Sequence, residues 1–184
     1  VISQPSITWH RFYDNGSRGN NEGRDICSSL PGTYFVVGRS YSLPNSAQVI
    51  KVNDNGDSLW NMFYPTVIIS PEACISAENG SCIMVGYGNG RVKLDSDGNI
   101  IWNRDSTNME AELFDVIETS DNNYIACGSA LTPINGYIVK FDSSGNVMWH
   151  KFFPSVGYMR FYSITETYSG GYVTCGIENN GSFD

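Results

Sequence analysis

Charged side chains are scarce in this chain, and basic ones scarcer. Only 16% of its 184 residues are Asp, Glu, Lys or Arg, and 11 Lys and Arg face 19 Asp and Glu, for a net charge of −8. Nucleic acids and anionic membrane surfaces select for clustered Lys and Arg, so neither is an expected partner. No apolar run approaches the roughly 18 residues of a membrane span, so no membrane insertion is expected. The opening, Val1-Ile2-Ser3-Gln4-Pro5, carries no basic-then-apolar signal segment, which fits a leader already removed as well as one never present. Helical periodicity is missing throughout. No Cys-x-x-Cys pair occurs among the five cysteines, which argues against zinc and thioredoxin-type redox roles.

What the chain does have is glycine (19 residues), aromatics (13%) and many Asn and Ser, a composition suited to short strands and tight turns. Its four tryptophans stand at 9, 60, 102 and 149. Ahead of the last three runs one ungapped ten-residue pattern: Lys51-Val-Asn-Asp-Asn-Gly-Asp-Ser-Leu-Trp60, Lys93-Leu-Asp-Ser-Asp-Gly-Asn-Ile-Ile-Trp102 and Lys140-Phe-Asp-Ser-Ser-Gly-Asn-Val-Met-Trp149. A second block recurs four times, over 26–38, 74–86, 116–128 and 164–176. Each copy is an apolar segment, a polar turn and a β-rich run closing in Gly38, Gly86, Gly128 or Gly176. Short apolar runs joined by Asn-Gly or Gly-containing turns read as hairpins.

Each unit therefore holds four short strands in roughly 47 residues, the pattern of a β-propeller blade. The expected fold is all-β: a propeller segment over 1–184 with blades at about 25–64, 72–104 and 114–153, a partial blade over 161–177 and an orphan fourth strand over 7–13. A β-sandwich is the runner-up, but it gives no reason for an ungapped Trp pattern in every unit. Three whole blades with unmatched strands at both ends predict exposed sheet edges. The chain is thus expected to be a fragment of a longer propeller, with further blades or a second chain completing the ring.

The ending Asp-x-x-Gly-Asn-apolar-apolar-Trp resembles the tryptophan docking motif of quinoprotein-like β-propellers. The fuller unit is similar to the tandem repeats of large secreted or cell-surface proteins of Bacteroidota. Ser163-Ile-Thr-Glu-Thr167, Gly170-Gly-Tyr-Val173 and Gly136-Tyr-Ile-Val-Lys-Phe-Asp142 carry that likeness. It implies an extracellular or surface location and a structural docking role for Trp9, Trp60, Trp102 and Trp149, in which the outer-strand Trp ties neighbouring blades together. Trp60, Trp102 and Trp149 are expected to occupy equivalent buried slots. The likeness is specific for fold and weak for function, because such repeats carry many roles.

Few residues suggest chemistry. His10 and His150 follow a Trp where the other repeats carry Asn61 and Asn103, and no carboxylate or Ser completes a nucleophilic set with either. Four of the five cysteines align with Val or Ile of other repeats: Cys127 and Cys175 with Val37 and Val85, Cys74 with Ile26, Val116 and Ile164, and Cys27 with Ile75 and Ile117. They are expected to be buried free thiols, with Cys127 and Cys175 the slowest to label. Cys74 and Cys82 flank one hairpin and could pair. Asp95-Ser-Asp97-Gly98-Asn99 resembles a calcium loop, yet its counterparts lose ligand charge and no Glu follows at the required offset, so a turn role is favoured. Nor does it match the Asp-box of sialidases, whose Gly stands closer to Trp. Lys51, Lys93 and Lys140 share one slot and are expected to snorkel or pair locally. Asn15, Asn79 and Asn180 begin formal glycosylation sequons. No catalytic residue, metal site or cofactor is expected.

The loops over 14–24, 65–71, 105–113 and 154–160, with those over 39–47, 87–89 and 129–135, vary while the other turns stay short. Alternating strands bring these loops to one face, the expected interaction surface. Its candidate residues are Arg18, Glu22, Arg24, Tyr41, Tyr87, Glu110, Glu112, Tyr158 and Arg160, each of which could equally be a solvated loop residue. The leading functional expectation is a non-catalytic interaction or assembly scaffold with a protein or glycan partner on this face. Alternatives are a carbohydrate-binding propeller and a quinoprotein-type enzyme, whose quinone floor and calcium site are not recognisable here.

Overall fold

The computed structural model describes residues 9–13, 20–41, 46–65, 70–88, 90–104 and 111–179. They form fourteen strands and a single 3-10 turn, Glu78–Gly80. The first sheet holds β1 (Asn21–Ser28), β2 (Thr33–Ser40), β3 (Ser46–Asn53) and β4 (Ser58–Tyr64). The second holds β5 (Pro71–Ser76), β6 (Cys82–Gly86), β7 (Arg91–Leu94) and β8 (Ile100–Arg104). The third holds β9 (Ala111–Glu118), β10 (Tyr124–Ala130), β11 (Gly136–Phe141) and β12 (Val147–Phe153). β13 (Tyr158–Glu166) and β14 (Tyr172–Asn179) form a two-stranded fourth sheet. All pairings are antiparallel between sequence neighbours. The arrangement is all-β and blade-like, consistent with a propeller, and no sheet among the described residues closes into a ring.

Successive sheets stack through their first strands: β1 lies against β5, β5 against β9 and β9 against β13. Apolar residues fill the three spaces between them. Phe35, Val49 and Leu94 belong to the first cluster, Val85, Leu113 and Phe141 to the second, Ile125, Ile138 and Ile164 to the third. The third strands β7 and β11 are buried along their full length, and β3 in all but its last residue; each is an inner strand paired on both edges.

Each unit begins earlier than the hydrophobic pattern predicts, at 21, 71, 111 and 158 instead of 25, 72, 114 and 161. The reason is a β-bulge in every first strand, with Arg24, Glu72, Phe114 and Tyr162 as the extra residues. An extra residue breaks the alternation on which a strand is read, although pairing resumes beyond it. The same bulge explains the closing glycines. A Cβ at Gly38, Gly86, Gly128 or Gly176 would sit 1.8–2.0 Å from the carbonyl oxygen of Glu22, Ser70, Glu112 or Arg160.

The ten-residue pattern is a hairpin whose first Asn or Asp builds the turn. Asp95 Oδ1 accepts from the N–H groups of Asp97 and Asn99, and Asn99 Nδ2 donates to Asp95 Oδ2. Asp142 repeats this with Ser144 and Asn146, and Asn53 accepts from the N–H groups of Asn55 and Asp57. Gly56, Gly98 and Gly145 take positive φ of 75°, 87° and 80°. Against these turns lies the Trp of the preceding unit, joined in the first two cases by a Tyr four residues on, Tyr13 and Tyr64. Trp9 Nε1 donates to the Asp54 carbonyl and Tyr13 to that of Gly56. Trp102 donates to the Ser143 carbonyl, and Tyr64 to that of Gly98. Lys51 Nζ takes the Ser96 carbonyl at 2.6 Å, the acceptor equivalent to Asp54 and Ser143. Trp60 Nε1 is buried with no hydrogen-bond partner among the described residues.

Two expectations need correction. Residues 9–13 form no strand; the segment docks by its side chains, and 7 and 8 lie outside the described residues. Nor are the three later tryptophans equivalent. Trp102 is 7% exposed, Trp60 is half-buried and Trp149 is 39% exposed, because no described turn lies over it.

Candidate functional site

The bulges place Arg24 and Glu72 side by side, with Nε and Oε2 3.6 Å apart, and bring the Phe114 and Tyr162 ring centroids to 5.2 Å with the planes tilted by 53°. Residues of adjacent sheets at the bulge position thus meet. Around them gather several of the candidate residues. Arg24 also pairs with Glu22 at 3.1 Å, and Tyr41 donates to Glu22 Oε2 at 2.8 Å. The Arg39 guanidinium lies 4.6 Å from the Tyr41 ring centroid. Tyr87 forms an isolated antiparallel bridge to Glu112, linking the second sheet to the third. Burial raises the Glu112 pKa, with Glu72 adding to the rise, while Arg160 and Arg24 oppose it. Glu22, Arg24, Tyr41, Tyr87, Glu112 and Arg160 therefore share one surface.

Most of these residues are not in loops. Glu22 and Arg24 belong to β1, Glu112 to β9, and Tyr158 and Arg160 to β13; only Tyr41 and Tyr87 follow a strand end. Tyr158 pairs with Asn179 at the start of β13. Arg18 and Glu110 lie outside the described residues. Sequence reasoning missed Glu72 altogether, since its role depends on a bulge. It also missed Asp25 and Asp115. Asp25 Oδ2 accepts from Cys74 N–H at 2.8 Å and Asp115 Oδ2 from Ile164 N–H at 2.9 Å, clasping each first strand to that of the next sheet. Their signal was present: Asp immediately precedes the aligned Ile26 and Val116.

The lysines pair locally. Lys93 bonds Glu78, and Lys140 reaches Asp121 at 2.7 Å and the Tyr172 hydroxyl at 3.0 Å. His10 and His150 are exposed. All five cysteines are free. Cys74, Cys82 and Cys127 are buried and Cys27 is half-buried, but Cys175 is exposed, contrary to expectation. Its slot matches that of Cys127, whose thiol packs against Ile164 and the Phe161 carbonyl of the fourth sheet; no further sheet lies beyond β14 among the described residues. No group of His, Cys, Asp and Glu able to hold a metal ion occurs among the described residues, and no helix there is long and apolar enough to cross a membrane.

No family model and no curated protein matches the chain. Among solved structures, a crystal structure of the eukaryotic initiation factor aligns with TM-score 0.53 and 14% identity, over 79% of this chain and 35% of that one. At that identity the likeness concerns the fold alone.

Proposed function

We propose that the chain is a segment of a β-propeller that acts as a non-catalytic interaction or assembly scaffold, outside the cell or at its surface. Its partner is a protein, engaged through the surface shared by Glu22, Tyr41, Tyr87, Glu112 and Arg160. The observation carrying this reading is the convergence of exposed Tyr41 and Tyr87 with paired Arg and Glu side chains from three sheets. Tyr and Arg dominate the energetic centres of protein interfaces. Arg160 Nε and Arg39 Nε are buried without a hydrogen-bond partner among the described residues, so these guanidinium groups are incompletely satisfied within the fold. The extracellular location rests on the resemblance of the repeats. Completion of the ring by further blades or a second chain is supported by β14, whose Val173 and Ile177 are exposed.

A photo-crosslinking residue at Tyr87, with a control at Ser169 in a turn, tests the assignment. One discrete protein adduct at 87, absent at 169 and lost in Arg160→Glu, is expected. Equal labelling at both sites, or none at 87, overturns it.

A second reading, glycan binding, has one observation in its favour. An open groove of about 210 Å³ beside Tyr13, Asn21 and Gln48 contains the buried Asn21 Oδ1, unpartnered among the described residues. A glycan array with binding that Tyr13→Ala removes supports it, and a blank array at high protein concentration eliminates it.

A further inference from the structure

Three of the five cysteines occupy one place. In the space between the second and third sheets, Ile75 packs with Val116 and Tyr124. Between the third and fourth, Ile117 packs with Ile164 and Tyr172. The same three repeat positions between the first and second sheets are Cys27, Cys74 and Cys82. An apolar trio in two interfaces is a trio of thiols in the third. Packing alone gives no reason for this, because Ile, Val and Tyr fill the slot elsewhere.

The strands hold these thiols together. Asp25 clasps the Cys74 N–H onto β1, and the Ser28 and Ser76 hydroxyls meet at 2.8 Å just beyond. Cys27 is the half-buried member and so the one reachable from outside; Cys74 and Cys82 lie behind it. Hydrogen bonds from Cys74 first and then Cys82 favour its thiolate and pull its pKa down against burial and the Asp25 charge, with Ser76 assisting. The same sharing, with burial, pushes the Cys74 and Cys82 thiols up. Lys51 faces Cys82 and works in the opposite direction, and the Cys82 thiol also faces Tyr64. The half-buried Cys27 is thus the member whose charged form its two buried neighbours favour, the division of labour of an attacking and a resolving cysteine.

We propose that Cys27, Cys74 and Cys82 form a thiol–disulfide exchange site, in which Cys27 attacks a low-molecular-weight disulfide and Cys74 resolves the product. The Cys27 thiolate forms a bond to one sulfur of the disulfide RSSR, whose S–S bond breaks and releases RS⁻, which takes up a proton. Cys74 then loses its proton, attacks Cys27 Sγ and expels the second RS⁻. Two thiols become one disulfide, and the two electrons reduce RSSR to two RSH. Cys82 stays reduced and acts as a positioning residue by donating to Cys27. The site lies at the end of β1 away from Glu22 and is independent of the interaction surface.

The test uses the 184-residue chain carrying Cys175→Ser, treated with oxidised glutathione, quenched by alkylation and mapped by peptide mass spectrometry. The expected product is a single disulfide joining residues 27 and 74. The pH midpoint of Cys27 alkylation is expected below the ordinary thiol value of about 8.5, and Cys82→Ala is expected to move it up. Cys27→Ile places the residue of the equivalent interfaces at this position; it should retain the thermal transition and lose all disulfide formation. The proposal is overturned if Cys27 reacts only after unfolding, or if Cys74 bonds Cys82 at the parental rate in Cys27→Ile. A mixed disulfide that stays on Cys27, or a midpoint unmoved by Cys82→Ala, also overturns it.

Discussion

The third and fourth sheets start from nearly the same sequence and end in different environments. β10 reads Tyr-Ile-Ala-Cys-Gly and β14 reads Tyr-Val-Thr-Cys-Gly. Ile125 and Cys127 are fully buried, whereas Val173 is 56% exposed and Cys175 is open to solvent. Register is not the cause, since both strands pair with their bulged first strand in the same way. The difference is that β10 lies between β9 and β11 and its Ile125 and Cys127 pack against Ile164 of the fourth sheet, while β14 has one paired neighbour and no further sheet beyond it among the described residues. Alternation therefore says which side chains share a face, and the neighbouring layer decides whether that face is dry.

The largest expected effect compares two tryptophans. Trp102→Ala empties a slot between sheets and is expected to cost roughly 3–5 kcal/mol. Trp149→Ala, at a solvent-open copy of the position, should cost about 1 kcal/mol. Urea unfolding of both variants measures the gap, and equal losses would mean that Trp149 is covered in solution. Next come the bulge glycines. Gly128→Ala drives a Cβ into the Glu112 carbonyl and should destabilise by about 1–3 kcal/mol. Gly176→Ala meets the same clash with Arg160, but the two-stranded sheet has more freedom to relax, so a smaller shift in midpoint is expected. Equal shifts would show the fourth sheet to be as rigid as the third.

Thiol labelling sharpens the same contrast without altering packing. Cys175 should react in the native state, while Cys127, whose thiol burial pushes up, should wait for unfolding. Comparable native rates would contradict the burial difference.

The smallest effect is electrostatic. The Lys140 ammonium first, and then the Thr119 hydroxyl, holds the Asp121 carboxyl well below its ordinary range. A depressed folded pKa adds stability above the unfolded value, about 3.9, and that stability is lost as pH falls through the folded value. Asp121→Asn should therefore flatten the fall of the unfolding midpoint below pH of about 4. The corresponding turn of the fourth sheet carries Ser169, so Ser169→Ala should leave the acid limb unchanged.

Much of the fold is legible in the residues themselves because the repeat is written in local chemistry. Asn53, Asp95 and Asp142 build their turns from groups within four residues, and Gly56, Gly98 and Gly145 supply the positive φ those turns require. Sequence distance is no obstacle there, so periodicity, turn residues and Trp spacing determined an all-β chain of hairpins. The bulges were not legible, since Arg24, Glu72, Phe114 and Tyr162 look like ordinary strand or loop residues until a partner strand shows one of them to be extra.

The candidate interaction surface divides the same way. Its residue types were visible, but the meeting of Glu22, Arg24 and Tyr41 with Glu72 and Glu112 depends on how sheets stack across about ninety residues of chain. The cysteines make the point most plainly. Aligned repeats assign each one an apolar slot, a property of its own strand. That Cys27, Cys74 and Cys82 fill the three corners of one inter-sheet space, and that Cys175 fills none, was decided by tertiary packing, because burial and shared hydrogen bonds belong to pairs of surfaces and not to a single strand.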